Sequence, residues 1–288
     1  MSDEAQRASE LSDAVLEAAA ATAEGHSDGE LGLPAAVVTA LHLMRSVGIE
    51  FVRRYHRLDV SGERSLPDEP CLLVANHGFG GIVDLNVLAL FATFDALEVD
   101  REVIVLTHQV AWTLQVGRFI EALGARPAGR ETALAALREG KHVLVLPGGD
   151  VDAFKSWERR DEIVFDGRVG FARIAQEAGV PIVPLVTAGA GESLVVLSDG
   201  ARLARAARLD KLLRLKALPV SISLPWGLNV GAVGMLPYVP LPTKLSTAVL
   251  PAVRSADGES AEALAGRVEA AMQDRLTALT RDRRYLLG

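Results

Sequence analysis

A histidine and an aspartate lie on either side of a glycine-rich stretch: six residues, three of them glycine, separate His77 from Asp84. An imidazole titrates near neutral pH and can accept a proton from a hydroxyl group. A carboxylate beside the imidazole can hold its tautomer and stabilise the imidazolium that forms. Because the intervening stretch contains neither serine nor cysteine, direct attack by a bound alcohol is the simplest chemistry that this pair predicts.

The spacing of the pair restricts how its two side chains can meet. On one continuous helix, residues seven apart share a face but lie roughly 10 Å apart along the axis. Contact therefore requires the glycines to loop back, with His77 before a helix and Asp84 at its start, which glycine permits. The alternative is that Asp84 is only the N-cap of the next helix and that His77 is a hydrogen-bonded loop residue.

The residues around this pair are patterned as alternating strands and helices. The apolar run 71–75 predicts a buried strand and the segment 85–97 a helix, with the glycine-rich turn between them. Further strands are expected at 103–107, 143–146 and 182–187, and further helices at 34–58, from 108 through 120 to about 124, and at 131–139, 168–178 and 261–280. This alternation predicts an α/β fold whose central, mostly parallel or mixed sheet is flanked by helices, with an amphipathic helix at the N-terminal side.

The segment Asn76-His77, followed by Asp84, resembles the catalytic signature of the glycerolipid acyltransferases, which move a fatty acyl group from a thioester to a hydroxyl. The usual family spacing has four residues between histidine and aspartate, whereas this chain has six. The resemblance implies that His77 is the general base, that Asp84 orients it, and that Asn76 is among the substrate-binding residues.

A second segment, 123–130, is similar to the family block in which an arginine closes a short strand and faces the acceptor. Arg130 occupies the matching position and Arg126 is a nearby additional base. A guanidinium suits phosphate recognition because its fork supplies two donors in one plane. The alternative is a solvated arginine before a helix.

The third segment, Pro147-Gly148-Gly149-Asp150, looks like the family's next block and is expected to bind substrate. Many phospholipid-forming members have Pro-Glu-Gly-Thr-Arg there; this chain has Gly148 in place of the glutamate, and no arginine follows. The Pro-Gly-Gly form resembles instead the branch that acts on neutral acceptors. Two glycines allow close approach of the backbone, so their N–H groups could face the carbonyl oxygen under attack. The alternative is a plain turn at a strand end.

The fourth segment, 180–184, is similar to the block that precedes a strand bordering the acyl site, but residues 188–192 lack the histidines expected in the nearest neutral-lipid relatives. All four blocks occur in family order, which predicts an O-acyltransferase using acyl-CoA, with diacylglycerol or a long-chain alcohol favoured as acceptor. Two alternatives stay open: a lysophosphatidate or lysophospholipid acyltransferase, and a non-catalytic lipid-binding protein associated with membranes.

No cofactor is expected beyond acyl-CoA as co-substrate. Asp150 and Asp152 could suggest a metal site with His77, but two carboxylates in one loop are more often solvated or capping, so no metal is expected. The single cysteine, Cys71, excludes an intramolecular disulfide and the usual cysteine-based zinc sites. The chain also lacks the G-x-S-x-G nucleophile elbow of ordinary lipases.

Charge and hydropathy suggest where the protein works. The net charge of −7 comes from the acidic segment 1–33, predicted to be a mobile tail, and this start is the opposite of a secretory signal. Basic amphipathic segments at 34–57 and 201–216, and an uncharged, proline-interrupted segment at 217–243, predict peripheral membrane association without a span. We therefore expect a cytoplasmic protein, with residues 58–288 as one acyltransferase-like domain, and no nucleic-acid partner.

Overall fold

The computed structural model describes residues 33–78, 84–113, 115–200, 219–231 and 238–288. The helices are α1 (Ala35–Arg54), α2 (Leu85–Ala96), α3 (Val110–Thr113), α4 (Gly117–Glu121), α5 (Arg130–Arg138), α6 (Gly149–Ala153), α7 (Gly170–Ala178) and α8 (Ala261–Thr280). The strands are β1 (Asp59–Gly62), β2 (Leu72–Ala75), β3 (Val103–Thr107), β4 (Ala125–Pro127), β5 (His142–Val145), β6 (Ile182–Ala188), β7 (Val195–Ser198), β8 (Val220–Ser223), β9 (Gly227–Val230) and β10 (Ser246–Val249).

Seven strands form one mixed sheet in the order β1-β10-β6-β2-β5-β3-β4. The run from β6 to β4 is parallel throughout, and β10 is antiparallel to β6. Every residue of β2, β5 and β6 is buried, as expected for central parallel strands that are covered on both faces. The sequence prediction of an α/β fold with a mostly parallel or mixed sheet is confirmed.

Helices cover both faces of this sheet. Successive side chains of a strand point to opposite faces. Leu72 accordingly belongs to the hydrophobic core under α5, α7 and α8, whereas Leu73 belongs to the core under α1 and α2. The parallel strands β2 and β5 therefore bring two chain segments, the one after Ala75 and the one after Val145, to the same edge of the sheet.

Most predicted elements have the expected bounds, and the differences have local causes. The single helix expected from 108 to about 124 is wrong: the structure has two short helices, α3 and α4, and between them Gln115 adopts a φ of 60°. Helix α1 ends at Arg54 rather than near Leu58, and Arg57 has a φ of 46°. A side chain forced into the left-handed region interrupts the i to i−4 hydrogen bonds of a helix.

The strands β7, β8 and β9 form a smaller antiparallel sheet. Among the described residues, the helix long and apolar enough to cross a membrane by length and composition is α1, with 17% of its most apolar window buried. The uncharged segment 217–243, the best candidate by length in the sequence, instead contains β8 and β9. The acidic segment up to residue 32 and the basic segment 201–216 lie outside the described residues.

Candidate active site

His77 and Asp84 meet at the C-terminal edge of the sheet. The Nδ1 atom of His77 lies 2.7 Å from Oδ2 of Asp84, and the two side chains are largely buried, with exposed fractions of 19% and 9%. The other carboxylate oxygen of Asp84 accepts a hydrogen bond of 2.8 Å from the Asn86 N–H, which caps α2. One carboxylate therefore serves both as helix cap and as partner of the imidazole, so the two interpretations of Asp84 are compatible.

This contact determines which nitrogen of His77 faces a substrate. A carboxylate is only an acceptor, so a short contact to it requires the hydrogen of a neutral imidazole to reside on Nδ1. Nε2 then carries the lone pair and can accept a proton from a hydroxyl. The six-residue spacing is thus geometrically compatible with a histidine base oriented by a carboxylate.

Asn76 makes hydrogen bonds to neighbouring elements of the protein. Its side-chain amide accepts a hydrogen bond from the Thr187 N–H at 2.9 Å and donates to the Thr187 carbonyl at 3.0 Å. Its backbone carbonyl accepts from the Asn86 side chain at 2.9 Å. The buried amide is therefore engaged by β6, and substrate binding by Asn76 stays a prediction. The residue connects β2, β6 and α2 directly before His77.

The Pro-Gly-Gly-Asp turn follows β5 and lies beside His77. A Cβ atom on Gly148 would lie 2.2 Å from the Cβ atom of Asp152, so only glycine fits there. Gly149 has a φ of 50°, and its N–H donates to the Leu146 carbonyl at 3.2 Å. This donor therefore closes the turn, and the expectation that the Gly149 N–H faces a substrate oxygen stays a prediction.

Arg168 supports the same turn from the loop before α7. Its guanidinium donates to the Pro147 carbonyl at 2.9 Å and to the Asp150 carboxylate at 3.2 Å. Asp150 thus has a cationic partner within the protein. The sequence gives no signal for Arg168, since it lies 18 residues beyond Asp150 and no motif connects them.

Two further residues at the site were missed or misinterpreted. Asp152, considered only as a metal ligand, accepts a hydrogen bond of 2.7 Å from the backbone N–H of His77. Its second oxygen accepts one of 2.8 Å from Lys155, which the sequence motifs do not include. The only sequence signal was an aspartate and a lysine three residues apart, a spacing that places two side chains on one side of a helical turn.

Tyr238 closes one side of the site. Burial, together with the negative charge of Asp84, raises the pKa of its phenol to about 12, although a hydrogen bond with Ser193 acts in the opposite direction. Tyr238 also packs with Phe154 against the buried Leu194. The surroundings of Tyr238 are therefore aromatic and aliphatic.

Among the residues that the structure describes, Arg130 does not take part in the hydrogen bonds around His77 and instead contacts Glu177. It is the first residue of α5, and its guanidinium donates to both carboxylate oxygens of Glu177 on α7, at 2.8 and 2.6 Å. Its side chain is 61% exposed. Arg126 donates to the backbone carbonyls of Glu121 and Ala125. In the described part of the chain, neither arginine joins the hydrogen bonds around His77, and binding of the acceptor by Arg130 stays a prediction.

The single cysteine lies at the opposite edge of the sheet, just before β2. Its Sγ atom lies 3.0 Å from Nδ1 of His142, the first residue of β5. Burial raises the pKa of the Cys71 thiol to about 12 and lowers that of His142 to about 4. A nucleophilic cysteine needs a thiolate, so this neutral, buried pair is chemically inert at pH 7.

The carboxylates at the site have protein partners rather than an arrangement for metal. Asp84 faces His77, Asp150 faces Arg168 and Asp152 faces Lys155. Within the described ranges, no group of three or more histidine, cysteine, aspartate or glutamate side chains could hold a metal ion.

Comparison with known proteins identifies one matching family and several similar proteins. Residues 57–188 match the family described as Acyltransferase. The chain is 30% identical over 171 residues to the "DGAT1/2-independent enzyme synthesizing storage lipids" of Gallus gallus, covering 58% of this chain and 48% of the relative. It is 31% identical over 216 residues to an uncharacterized protein of Mycobacterium tuberculosis, covering 74% of this chain and 56% of the relative. The chain spans about half the length of these curated relatives.

Among solved structures, the crystal structure of the 1-acyl-sn-glycerophosphate (LPA) acyltransferase PlsC from Thermotoga maritima is similar, with a TM-score of 0.51 and 17% identity over 85% of this chain and 83% of that chain. At this identity the similarity shows the fold alone. The matched family region contains the His77–Asp84 pair and the turn at 147–150. Through residues 57–188, which match the family model, the chain is therefore similar to the acyltransferase family.

Proposed function

We propose that this acyltransferase moves a fatty acyl group from acyl-CoA to the hydroxyl of a glycerolipid or a long-chain alcohol. The observation that carries the proposal is the 2.7 Å contact between His77 Nδ1 and Asp84 Oδ2 at the C-terminal edge of the sheet. Ligands of open α/β sheets bind in this position, outside the carboxyl ends of the parallel strands. A base there, with its Nε2 atom unprotonated, suits activation of an alcohol.

The proposed reaction needs no covalent enzyme intermediate. His77 Nε2 accepts the proton of the acceptor hydroxyl while the oxygen attacks the thioester carbonyl, and the imidazolium is stabilised by Asp84. The tetrahedral intermediate then collapses to an ester and expels the CoA thiolate, which takes the proton back from His77. Because the Gly149 N–H is already bonded to Leu146, Gly148 is the glycine of this turn that we propose as donor to the developing oxyanion.

A neutral acceptor is the better supported class. The turn at 147–150 lacks the glutamate and arginine of phospholipid-forming members, and Arg130 is neutralised by Glu177. The Gallus gallus relative is named for storage lipids. We therefore favour diacylglycerol or a long-chain alcohol over lysophosphatidate.

Thiol release from acyl-CoA tests the proposal. The protein is incubated with acyl-CoA and, in separate reactions, with diacylglycerol, a long-chain alcohol, lysophosphatidate or no acceptor, and ester formation is followed in parallel. We expect thiol and ester in equal amounts with the neutral acceptors. Ester formed only with lysophosphatidate would instead select the phospholipid-forming alternative. Binding of acyl-CoA without release for any acceptor would support a non-catalytic lipid-binding protein.

We also propose that the protein docks peripherally on the cytoplasmic face of a membrane. Helix α1 exposes Met44 and Val47, and its last turn carries Arg53 and Arg54. The outer face of the small sheet is apolar as well, with these exposed side chains on or beside it: Leu197, Ile222, Leu224, Trp226, Leu228, Val230 and Val239. The two surfaces are linked, since the Tyr55 hydroxyl donates to the Pro240 carbonyl at 2.8 Å. Apolar surface flanked by bases suits anionic lipid.

Flotation with vesicles tests the docking. We expect binding to anionic vesicles that weakens at high salt, because exposed charges are screened over about 8–10 Å at physiological ionic strength. The double variant Arg53→Glu/Arg54→Glu should bind less, and Arg138→Glu/Arg173→Glu, on α5 and α7, is the matched control. Equal binding to neutral and anionic vesicles would contradict the electrostatic part, and extraction by detergent alone would indicate that α1 spans the bilayer.

A further inference from the structure

A buried ion pair lies directly behind the backbone of His77. Asp152 has no exposed surface, and Lys155 is 6% exposed. One carboxylate oxygen of Asp152 accepts the His77 N–H at 2.7 Å, and the other accepts from Lys155 Nζ at 2.8 Å. The same ammonium donates to the Glu162 carbonyl at 2.6 Å.

The cost of burial argues that this pair has a specific task. Removing two charges from water costs several kcal/mol per ion, and an apolar pair of similar volume is often at least as stabilising. Here one carboxylate oxygen is directed at a backbone N–H rather than at the ammonium. Such a charge-assisted hydrogen bond is about twice as strong as a neutral one.

The position of Asp152 connects the two turns of the site. Asp152 belongs to α6, which begins at the Pro-Gly-Gly turn, and the close approach of its Cβ to Gly148 leaves no space for another side chain there. Through its carboxylate, the same residue holds the backbone of His77, 75 positions earlier in the chain. The relative placement of the base and of the Gly148 turn therefore depends on one side chain.

We propose that Asp152, held in place by Lys155, is a positioning residue for His77. It fixes the backbone N–H of His77, so that the imidazole keeps its contact with Asp84 and its Nε2 atom faces the reacting hydroxyl at a constant distance from the Gly148 turn. The proposal rests on the proposed function. It assigns Asp152 no contact with substrate and no proton transfer.

Two double variants separate positioning from charge burial. Both Asp152→Asn/Lys155→Met and Asp152→Leu/Lys155→Met remove the buried charges without leaving one ion unpaired. Only the asparagine retains an oxygen that can accept the His77 N–H. We expect the asparagine variant to keep kcat within about fivefold of the wild type, and the leucine variant to lose about 10- to 100-fold in kcat with KM nearly unchanged, because misplacement of a reacting group acts mainly on the chemical step.

A stability control and a spectroscopic readout complete the test. Leu276 of α8 is buried in the hydrophobic core, away from the site. The variant Leu276→Ala should therefore lower the free energy of unfolding and leave kcat of the folded protein unchanged. In amide NMR spectra, the His77 N–H signal should lie downfield in the wild type and the asparagine variant, and should move upfield in the leucine variant. This readout needs no turnover, so it tests the positioning even if no acceptor supports thiol release. Equal kcat values in the two double variants, or an unmoved His77 amide signal, would overturn the proposal.

Discussion

The two ends of strands β2 and β5 carry one histidine each, and the two imidazoles have opposite surroundings. At the N-terminal edge, Nδ1 of His142 accepts the Cys71 N–H at 3.2 Å and contacts the thiol, and burial lowers its pKa to about 4. At the C-terminal edge, Nδ1 of His77 faces the Asp84 carboxylate. Burial therefore opposes protonation of His142, whereas His77 faces a negatively charged partner.

This contrast shows that the partner of the imidazole, and not burial alone, decides what it can do. A histidine that accepts a backbone N–H at Nδ1 would lose that bond on protonation, whereas one that donates to a carboxylate becomes an ion pair. The proposed base, His77, also lies at the carboxyl edge of the sheet, where open parallel sheets bind ligands.

The largest expected effect comes from removing each histidine in turn. His77→Ala should reduce thioester-dependent transfer by about 10²- to 10⁴-fold, the range for loss of a general base, with little change in stability. His142→Ala should instead leave turnover per folded molecule unchanged and lower the free energy of unfolding by about 1–3 kcal/mol, because the Cys71 N–H loses its acceptor. Turnover and urea unfolding of both variants check this crossed pattern. Loss of turnover in the folded His142 variant would break the comparison.

The variant Asp84→Asn tests whether the carboxylate partner of His77 matters for turnover. Asparagine caps a helix about as well as aspartate, so α2 should remain intact. The imidazole loses its anionic partner, and we expect turnover to fall roughly 10²-fold because the tautomer and the imidazolium are no longer stabilised. The assay is thiol release, with circular dichroism as the check on folding. Turnover near that of the wild type would leave Asp84 with its capping role alone.

The lowered pKa of His142 should be measurable in the pH dependence of stability. The pKa of His142 is about 4 in the folded protein, against an ordinary value of 6.5 for a solvated imidazole, so the unfolded chain binds more protons between these values. Stability contributed by neutral His142 is therefore complete above about pH 7 and is lost as the pH falls from 6.5 towards 4, by up to about 3 kcal/mol.

Urea unfolding at about pH 7 and at about pH 4.5 measures this loss of stability, because these two pH values enclose most of the interval between the two pKa values. The control is His142→Gln, whose side-chain oxygen can still accept the Cys71 N–H but does not titrate in this range. The glutamine variant should lose less stability than the wild type over the same interval. Parallel pH profiles for the two proteins would show that His142 does not titrate with a lowered pKa.

The smallest effect is expected at Arg130, which lies outside both histidine sites. Its ion pair with Glu177 is exposed, and such pairs contribute about 0–1 kcal/mol. Arg130→Ala should therefore change stability by less than about 1 kcal/mol, and turnover with a neutral acceptor by less than about twofold. A marked rise in KM, seen only with a phosphate-bearing acceptor, would support the interpretation of Arg130 as an acceptor ligand.

Local patterns in the sequence predicted much of the fold and the contact between His77 and Asp84. The apolar runs of β2, β3, β5 and β6 and the helix α8 agree with their expected positions, because burial imposes hydrophobic periodicity on the chain. The pairing of His77 with Asp84 could be predicted because only six residues separate them in the sequence.

The contacts of Asp152, Asn76 and Arg168 were not predicted, since they join segments 75, 111 and 18 or more residues apart. No local pattern encodes such pairing. The same limitation applies to the ion pair of Arg130, whose partner on α7 is 47 residues away.

A two-stage experiment with labelled acyl-CoA tests the central claim that transfer proceeds directly from thioester to hydroxyl at His77. In the first stage the protein and acyl-CoA are mixed without acceptor, and in the second a neutral acceptor is added. We predict no thiol release and no label on the chain in the first stage, then equal amounts of thiol and labelled ester in the second. Release of one thiol per protein with label bound to the chain before acceptor is added, or no ester afterwards, would contradict it.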